Sequence, residues 1–167
     1  GRAFEDLNIE FLEQPVPYLD IDGLVKIRKA ISVPLSVDES LLTIHDAERI
    51  ISEGAADIFS VKVSKNGGLT RTKQLIELAC ENGMNCWMNS MLEEGITQAA
   101  SLSLGLTSGN ILDVGHAYFS PLRLAEDIST YSGNIRDLEI YSSQRPGLGI
   151  SLKEEIIQKY LLDSYIV

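Results

Sequence analysis

Apolar and polar positions along the chain repeat in a short-run, long-run rhythm. Short β-rich runs alternate with stretches whose apolar residues recur at helical spacing. The first run, Ile9-Glu10-Phe11-Leu12-Glu13, is closed by Gln14-Pro15, where proline stops a helix. A helix capped by Asp22 is expected through Ile31, with Leu24, Ile27, Arg28 and Ile31 on one stripe. The next strand is Val33-Pro34-Leu35-Ser36-Val37, ending at Asp38. Thr43 then caps a helix with Ile44, Ala47, Ile50 and Ile51 on one face, and Gly54 ends it. A third strand, Ile58 to Val63, leads through Gly67-Gly68 into a helix reaching Asn82-Gly83. A fourth, Met84 to Met88, precedes a helix from Glu94 to Leu106, and a fifth is Ile111-Leu112-Asp113-Val114.

The strand ends fall at a near-constant interval. Glu13 to Asp38 is 25 residues, Asp38 to Lys62 is 24, Lys62 to Met88 is 26 and Met88 to Asp113 is 25. One strand and one helix per unit predicts parallel β-structure with crossover helices, either a doubly wound sheet or a barrel. No GxGxxG follows a strand, which weakens a dinucleotide-binding reading. Five units cannot close an eight-stranded barrel, which typically takes about 250 residues. The rhythm breaks after Asp113: Leu138 to Tyr141 reads as a strand, Arg145 to Gly149 as a loop and Lys153 to Leu161 as a short helix.

Composition narrows the function classes. The chain has 167 residues, one domain's worth, with 44% hydrophobic and 23% charged positions and a net charge of -10. That acidity argues against nucleic-acid or anionic-membrane partners. No apolar run reaches the roughly 20 residues of a membrane span, and the N-terminus carries no apolar signal core. Gly1 is not Met, so it need not be the natural start. Cys80 and Cys86 form no CxxC and read as two reduced, mostly buried thiols of a cytoplasmic protein.

In either parallel architecture the ligand site lies at the C-terminal strand ends. Glu13, Asp38 and Lys62 occupy that position in three consecutive units. Two adjacent carboxylates are hard oxygen donors suited to Mg²⁺, with a third ligand needed from outside the chain. An amine beside a cation and out of water gives up its proton more readily, so Lys62 can act as a base. This set suits removal of a proton next to a carboxylate, with the metal taking the charge of the enolate. Without a metal, Lys62 reads instead as a structural salt bridge to Glu13 or Asp38. Lys65, beside Asn66-Gly67-Gly68 at a helix start, is a candidate for holding a substrate phosphate or carboxylate, although the double glycine reads more readily as a simple turn. Glu93 and Glu94 lie in the fourth strand-helix loop, where one of them can face the site or both can form an acidic first helical turn, and His116 and Tyr118 after the fifth strand are candidate substrate contacts. His45 reads as a solvated surface residue.

Leu12-Glu13-Gln14-Pro15, Val37-Asp38-Glu39-Ser40 and Val61-Lys62-Val63-Ser64-Lys65-Asn66-Gly67-Gly68, in that order, resemble the latter half of the enolase superfamily. Within it they are most similar to the muconate lactonizing enzyme subgroup. The resemblance implies an α/β fold: strands four to eight of a (β/α)7β TIM-like barrel at residues 1–134, with residues 135–167 contributing to an α+β capping domain. It implies Glu13 and Asp38 as Mg²⁺ ligands, Lys62 as the acid/base lysine and Glu93 as the acidic residue after strand seven. It places the family's first metal-ligand Asp and its Lys-x-Lys motif upstream of Gly1. The implied parent is a Mg²⁺-dependent racemase, epimerase or cycloisomerase acting on a small carboxylate or amino-acid-derived substrate, homo-oligomeric in full-length form. A dehydratase of a small hydroxy or amino acid is the alternative parent. Ala117-Tyr118-Phe119 stands where dipeptide epimerases of the subgroup carry Asp-x-Asp, which argues against that specificity. A different class of reading is a non-catalytic fragment, whose open barrel edge would expose surface for self-association.

Overall fold

A computed structural model describes residues 1–163. Its centre is a four-stranded parallel sheet in the order β1-β2-β3-β4, the order of the chain. The strands are β1 (Leu12–Glu13), β2 (Leu35–Val37), β3 (Ile58–Val61) and β4 (Asn85–Met88). Between and after them run α1 (Ile21–Ala30), α2 (Ile44–Glu53), α3 (Leu69–Glu81) and α4 (Gly95–Thr107). Strands joined by one helix each and lying side by side in parallel are what the 25-residue spacing predicts.

Side chains alternate across the sheet. Leu35, Val37, Phe59, Val61, Cys86 and Met88 lie in one buried cluster with Leu24, Ala47, Ile50, Leu75, Ile76, Ala79 and Ala99 of the helices. The intervening residues, among them Glu13, Ser36, Ser60 and Trp87, therefore belong to the opposite face, where Phe11 and Trp87 meet with ring centroids 5.3 Å apart. The hydrophobic face anchors the sheet, and the polar residues that carry chemistry are left to the other.

Local signals account for the start of α1 and both ends of α2. Thr43 Oγ accepts from Asp46 N while the Asp46 side chain accepts from Thr43 N, a reciprocal cap on α2. Gly54 ends the same helix in the left-handed region, with φ 63°. The first helix departs from expectation. Asp20, not Asp22, is its cap: Asp20 Oδ1 accepts from Gly23 N at 2.8 Å, and Asp22 sits in the first turn, where a negative charge suits the helix dipole.

All five expected strands are shorter than the sequence pattern predicts, the first and the fifth most of all. The strand expected over residues 9–13 pairs only at Leu12–Glu13, an edge with one neighbour. The strand expected over 111–114 reduces to a bridge between Cys86 and Ile111. Beyond it, the ladder at β4 is completed by a side chain: Met88 N donates to His116 Nδ1 at 3.3 Å. An antiparallel hairpin follows, β5 (Ile135–Arg136) with β6 (Glu139–Ile140), and then the short helix α5 (Glu154–Tyr160). Residues 164–167 of the expected capping segment lie outside the described residues. Among the described residues no helix is long and apolar enough to cross a membrane.

The cysteines differ in exposure. Cys86 is buried on β4, and burial pushes its thiol up to about 12. Cys80 lies near the end of α3 and is exposed, not buried as its residue type predicts. The native chain should therefore react with one equivalent of a thiolate-selective reagent at pH 8 and with two in denaturant. Two fast-reacting thiols in the folded chain would contradict the packing around Cys86.

Candidate functional site

The strand ends carry the cluster. Glu13 is the last residue of β1, Asp38 follows β2, Lys62 follows β3 and Asn89 follows β4. Asp38 and Lys62 are 5% and 8% exposed. Lys62 Nζ donates to Asp38 Oδ2 at 2.5 Å, and Lys65 Nζ donates to Asp38 Oδ1 at 2.8 Å. Both oxygens of one carboxylate are thus held by ammonium groups. Lys65 also donates to the Asp38 and Ser60 carbonyls, at 2.7 and 2.9 Å. Burial draws its pKa down, and Asp38 opposes that shift. Lys65, expected at a helix start as a candidate for holding a substrate anion, is placed with its ammonium on Asp38.

Glu13 completes the group from the neighbouring strand. Its Oε1 accepts from Asn89 Nδ2 at 2.9 Å, and Asn89 Nδ2 also reaches Ser60 Oγ at 2.9 Å. Burial pushes the Glu13 carboxyl above its ordinary pKa; the Ser60 hydrogen bond opposes this and Asp38 adds to it. Beside Glu13 in the ladder stands Ser36, whose buried hydroxyl has no hydrogen-bond partner. A half-buried carboxylate, a second carboxylate on the adjacent strand and an orphan hydroxyl are hard oxygen donors, and they fit a small divalent cation. They supply two charged ligands: among the described residues no group of three or more His, Cys, Asp or Glu converges.

The backbone under these side chains is pinned by amides that the sequence reading did not single out. Lys62 N donates to Asn66 Oδ1 at 2.9 Å, and Asn66 Nδ2 donates to the Leu41 carbonyl at 2.9 Å. Asn66 thereby ties the Lys62 loop to the loop after β2. The signal in the sequence is an Asn beside a double glycine, which reads more readily as a turn.

Glu93 lies beyond this cluster in the loop between β4 and α4. Its Oε1 accepts from Ser64 Oγ at 2.7 Å, and its Oε2 accepts from Ser90 Oγ and, at 2.9 Å, from Gln98 Nε2. Burial raises its pKa, but the Ser90 and Ser64 hydroxyls and the backbone N–H groups of Met91 and Glu93 outweigh that, so the group is held below its ordinary value. Glu94 faces elsewhere and accepts from Ile128 N at 3.2 Å. Asp127 Oδ1 takes Gly95 N at 3.0 Å and so caps α4 from 32 residues away. No sequence pattern near α4 announces that contact.

His116 and Tyr118 are not brought to the strand-end cluster. Tyr118 is buried, with its hydroxyl directed at α4, 3.5 Å from the Ser101 carbonyl, and burial pushes the phenol up. Gly105 makes room for it: a Cβ there would stand 2.1 Å from the Tyr118 oxygen. His116 is half-buried between Met88 N and the Leu112 carbonyl, 3.1 Å from Nε2. These partners require Nδ1 as acceptor and Nε2 as donor, the neutral ring. His116 does border a cleft of about 590 Å³ with Trp87, Met91, Leu92 and Phe119. His45 is exposed beside Glu48, as its position predicts.

The His116 arrangement has a pH signature. Burial holds its pKa below the ordinary value of about 6.5, against the Leu112 hydrogen bond and Asp113. As pH falls, the unfolded chain takes up the proton first, so the stabilisation present above about pH 6.5 declines towards the folded pKa. His116→Phe should flatten the fall in urea midpoint between pH 7.5 and 5.5. An unchanged slope would place the titrating group elsewhere.

The model of the enolase C-terminal domain-like family matches residues 1–156. The chain belongs to that family. Muconate cycloisomerase 1 of Pseudomonas putida is 34% identical over 162 residues, which cover 95% of this chain and 42% of that protein. N-succinyl-L-Arg/Lys racemase of Bacillus cereus is 30% identical over 166 residues, covering 99% of this chain and 44% of the racemase. The crystal structure of N-succinyl Arg/Lys racemase from Bacillus cereus superposes with a TM-score of 0.88 at 30% identity over 96% of this chain and 42% of that one. The muconate lactonizing enzyme of Pseudomonas putida does so with a TM-score of 0.87 at 30% identity, over 95% and 44%. The chain thus spans less than half the length of these relatives. Its fold is the α/β C-terminal part of the (β/α)7β barrel, as the ordered motifs predict.

Proposed function

We propose that this chain is the catalytic-lysine half of a Mg²⁺-dependent enzyme that removes the proton α to a substrate carboxylate, a racemase, epimerase or cycloisomerase. The observation that carries the reading is the convergence of Glu13, Asp38 and Lys62 at the ends of three adjacent parallel strands. Relatives named as cycloisomerases, racemases and epimerases support the reaction type.

Glu13 and Asp38 would hold the cation. Bound there, it supplies electrostatic stabilisation of negative charge developing on the substrate carboxylate. Lys62 Nζ is the group that takes the α-proton on its own face of the substrate; return from the same nitrogen restores the starting configuration, so inversion in a racemase or epimerase needs a second proton donor on the opposite face, whereas in a cycloisomerase Lys62 gives the α-carbon its proton. Asp38 orients Lys62 through the 2.5 Å contact and holds Lys65 with its other oxygen. Asn89 holds Glu13 from the fourth strand end. Glu93, caged by two hydroxyls and an amide, acts as a fixed anion joining the Lys62 loop to the β4–α4 loop. We assign residues 1–134 to the barrel and 135–167 to a capping region, supported by the change from parallel repeat to antiparallel hairpin.

The test is proton exchange in D₂O, followed by NMR on the longest natural polypeptide containing this sequence. Muconolactone and N-succinyl-L-arginine are the first probes, because relatives are named for such compounds. Exchange of the proton α to the carboxylate, dependent on Mg²⁺, is expected for a compound of this class. Absence of Mg²⁺-dependent exchange across α-substituted carboxylates would overturn the reading.

A further inference from the structure

The residue after Glu13 has an unusual backbone and an unusually complete set of partners. Gln14 has φ 37°, in a region that residues with a side chain rarely enter. The turn comes between Gln14 N, still laddered to the Ser36 carbonyl at 2.9 Å, and Pro15. The side chain crosses to the loop after β2. There Gln14 Oε1 accepts from Asp38 N at 3.0 Å and from Ser40 N at 3.3 Å. Gln14 Nε2 donates to Ser40 Oγ at 2.8 Å and to the Val16 carbonyl at 3.0 Å. The Ser40 hydroxyl in turn donates to the Tyr18 carbonyl at 2.8 Å. An amide has two donor hydrogens and one oxygen with two lone pairs, and here all are used.

The partners define the role. Lys62 and Lys65 hold the carboxylate of Asp38, whereas Gln14 holds its main-chain N–H. Glu13 is joined to Gln14 by the peptide bond. One side chain therefore fixes the backbone of one proposed ligand to the residue adjoining the other. The β1–β2 ladder itself pairs only Leu12 with Leu35 and Glu13 with Ser36, so it stops short of Asp38.

We propose that Gln14 is a positioning residue that sets the separation of the Glu13 and Asp38 carboxylates and thereby the affinity of the pair for a divalent cation. The inference rests on the Mg²⁺ reading of that pair. Its bonds are to main chain and to Ser40, and none is to Glu13 or Asp38 carboxylate oxygens, so it acts through them. Partners that orient metal ligands in this way typically change metal affinity about 10–100-fold when removed.

The experiment is calorimetric titration of Mg²⁺ into the longest natural polypeptide containing this sequence, alongside Gln14→Met and Ser40→Ala, with thermal unfolding of each recorded. Gln14→Met keeps the length of the side chain and removes its hydrogen bonds. Ser40→Ala removes one partner of Gln14 and leaves the Oε1 bond to Asp38 N. The expected result is a loss of Mg²⁺ affinity of about 10–100-fold for Gln14→Met and a smaller loss for Ser40→Ala, below the unfolding temperature of each. A folded Gln14→Met that binds Mg²⁺ like the parent overturns the inference and leaves the Mg²⁺ reading standing. Should Gln14→Met fail to fold, unchanged affinity in Ser40→Ala overturns it. A parent protein that does not bind Mg²⁺ overturns the cation reading and the inference together.

Discussion

Lys62→Ala should lower α-proton exchange by about 10²–10⁴-fold, the range for loss of a positioned general base. Lys62 follows β3 directly, its backbone N–H is pinned by Asn66, and its ammonium reaches Asp38 at the mouth of the sheet. Two roles fit this geometry: a base, and the cationic half of a structural ion pair. Lys62→Arg separates them. Arginine keeps the positive charge and pairs well with a carboxylate, but its guanidinium does not deprotonate in proteins. A base therefore loses exchange in both variants, whereas a structural cation is rescued by arginine. Exchange restored in Lys62→Arg to within a few-fold of the parent would remove Lys62 from the chemistry. Mg²⁺ affinity measured on the same variants shows whether the lost exchange reflects a lost base or a lost cation.

The site was legible in the sequence to the extent that its residues obey the repeat. A strand-helix period near 25 places Glu13, Asp38 and Lys62 at equivalent points of successive units, and parallel pairing then brings them together. Thr43 and Gly54 were legible because caps act within a few residues. Tyr118 was not, because nothing after the last strand fixes which way a loop turns. Its hydroxyl runs into the space left by Gly105, a contact 13 residues away in sequence with no periodic signature. Gln14 marked only the end of a strand, yet its amide organises the loop after β2. Asp127 capping α4 is invisible for the same reason: long-range capping obeys no spacing rule. Lys65 shows a different limit. Its place beside a glycine turn is plain in the sequence, but its ammonium is drawn inward to Asp38, a contact that a pattern of residue types does not encode.

Asp38→Asn should cost roughly 3–5 kcal/mol of stability, the range for removing one partner from a buried ion pair. The side chains of Lys62, Lys65 and Asp38 are 10%, 7% and 7% exposed. Water therefore does little to screen the two ammonium groups once the carboxylate is gone. An asparagine keeps the shape and one acceptor oxygen, so the loss reports charge and not volume. Lys65→Met should cost less, because Asp38 retains Lys62 and a methionine stem fills the same channel. The two changes should also combine to less than their sum, since removing Lys65 relieves part of the repulsion left by Asp38→Asn. Urea unfolding at pH 7, with the m-value checked for constancy, measures all three. A shift worth under about 1 kcal/mol in Asp38→Asn, the range of a surface ion pair, would mean that solvent reaches the cluster freely. Since Asp38 is also a proposed cation ligand, the same variant should weaken Mg²⁺ binding. Sensitivity of both stability and affinity to one carboxylate is the expected signature of a charge cluster that the fold holds in place for chemistry.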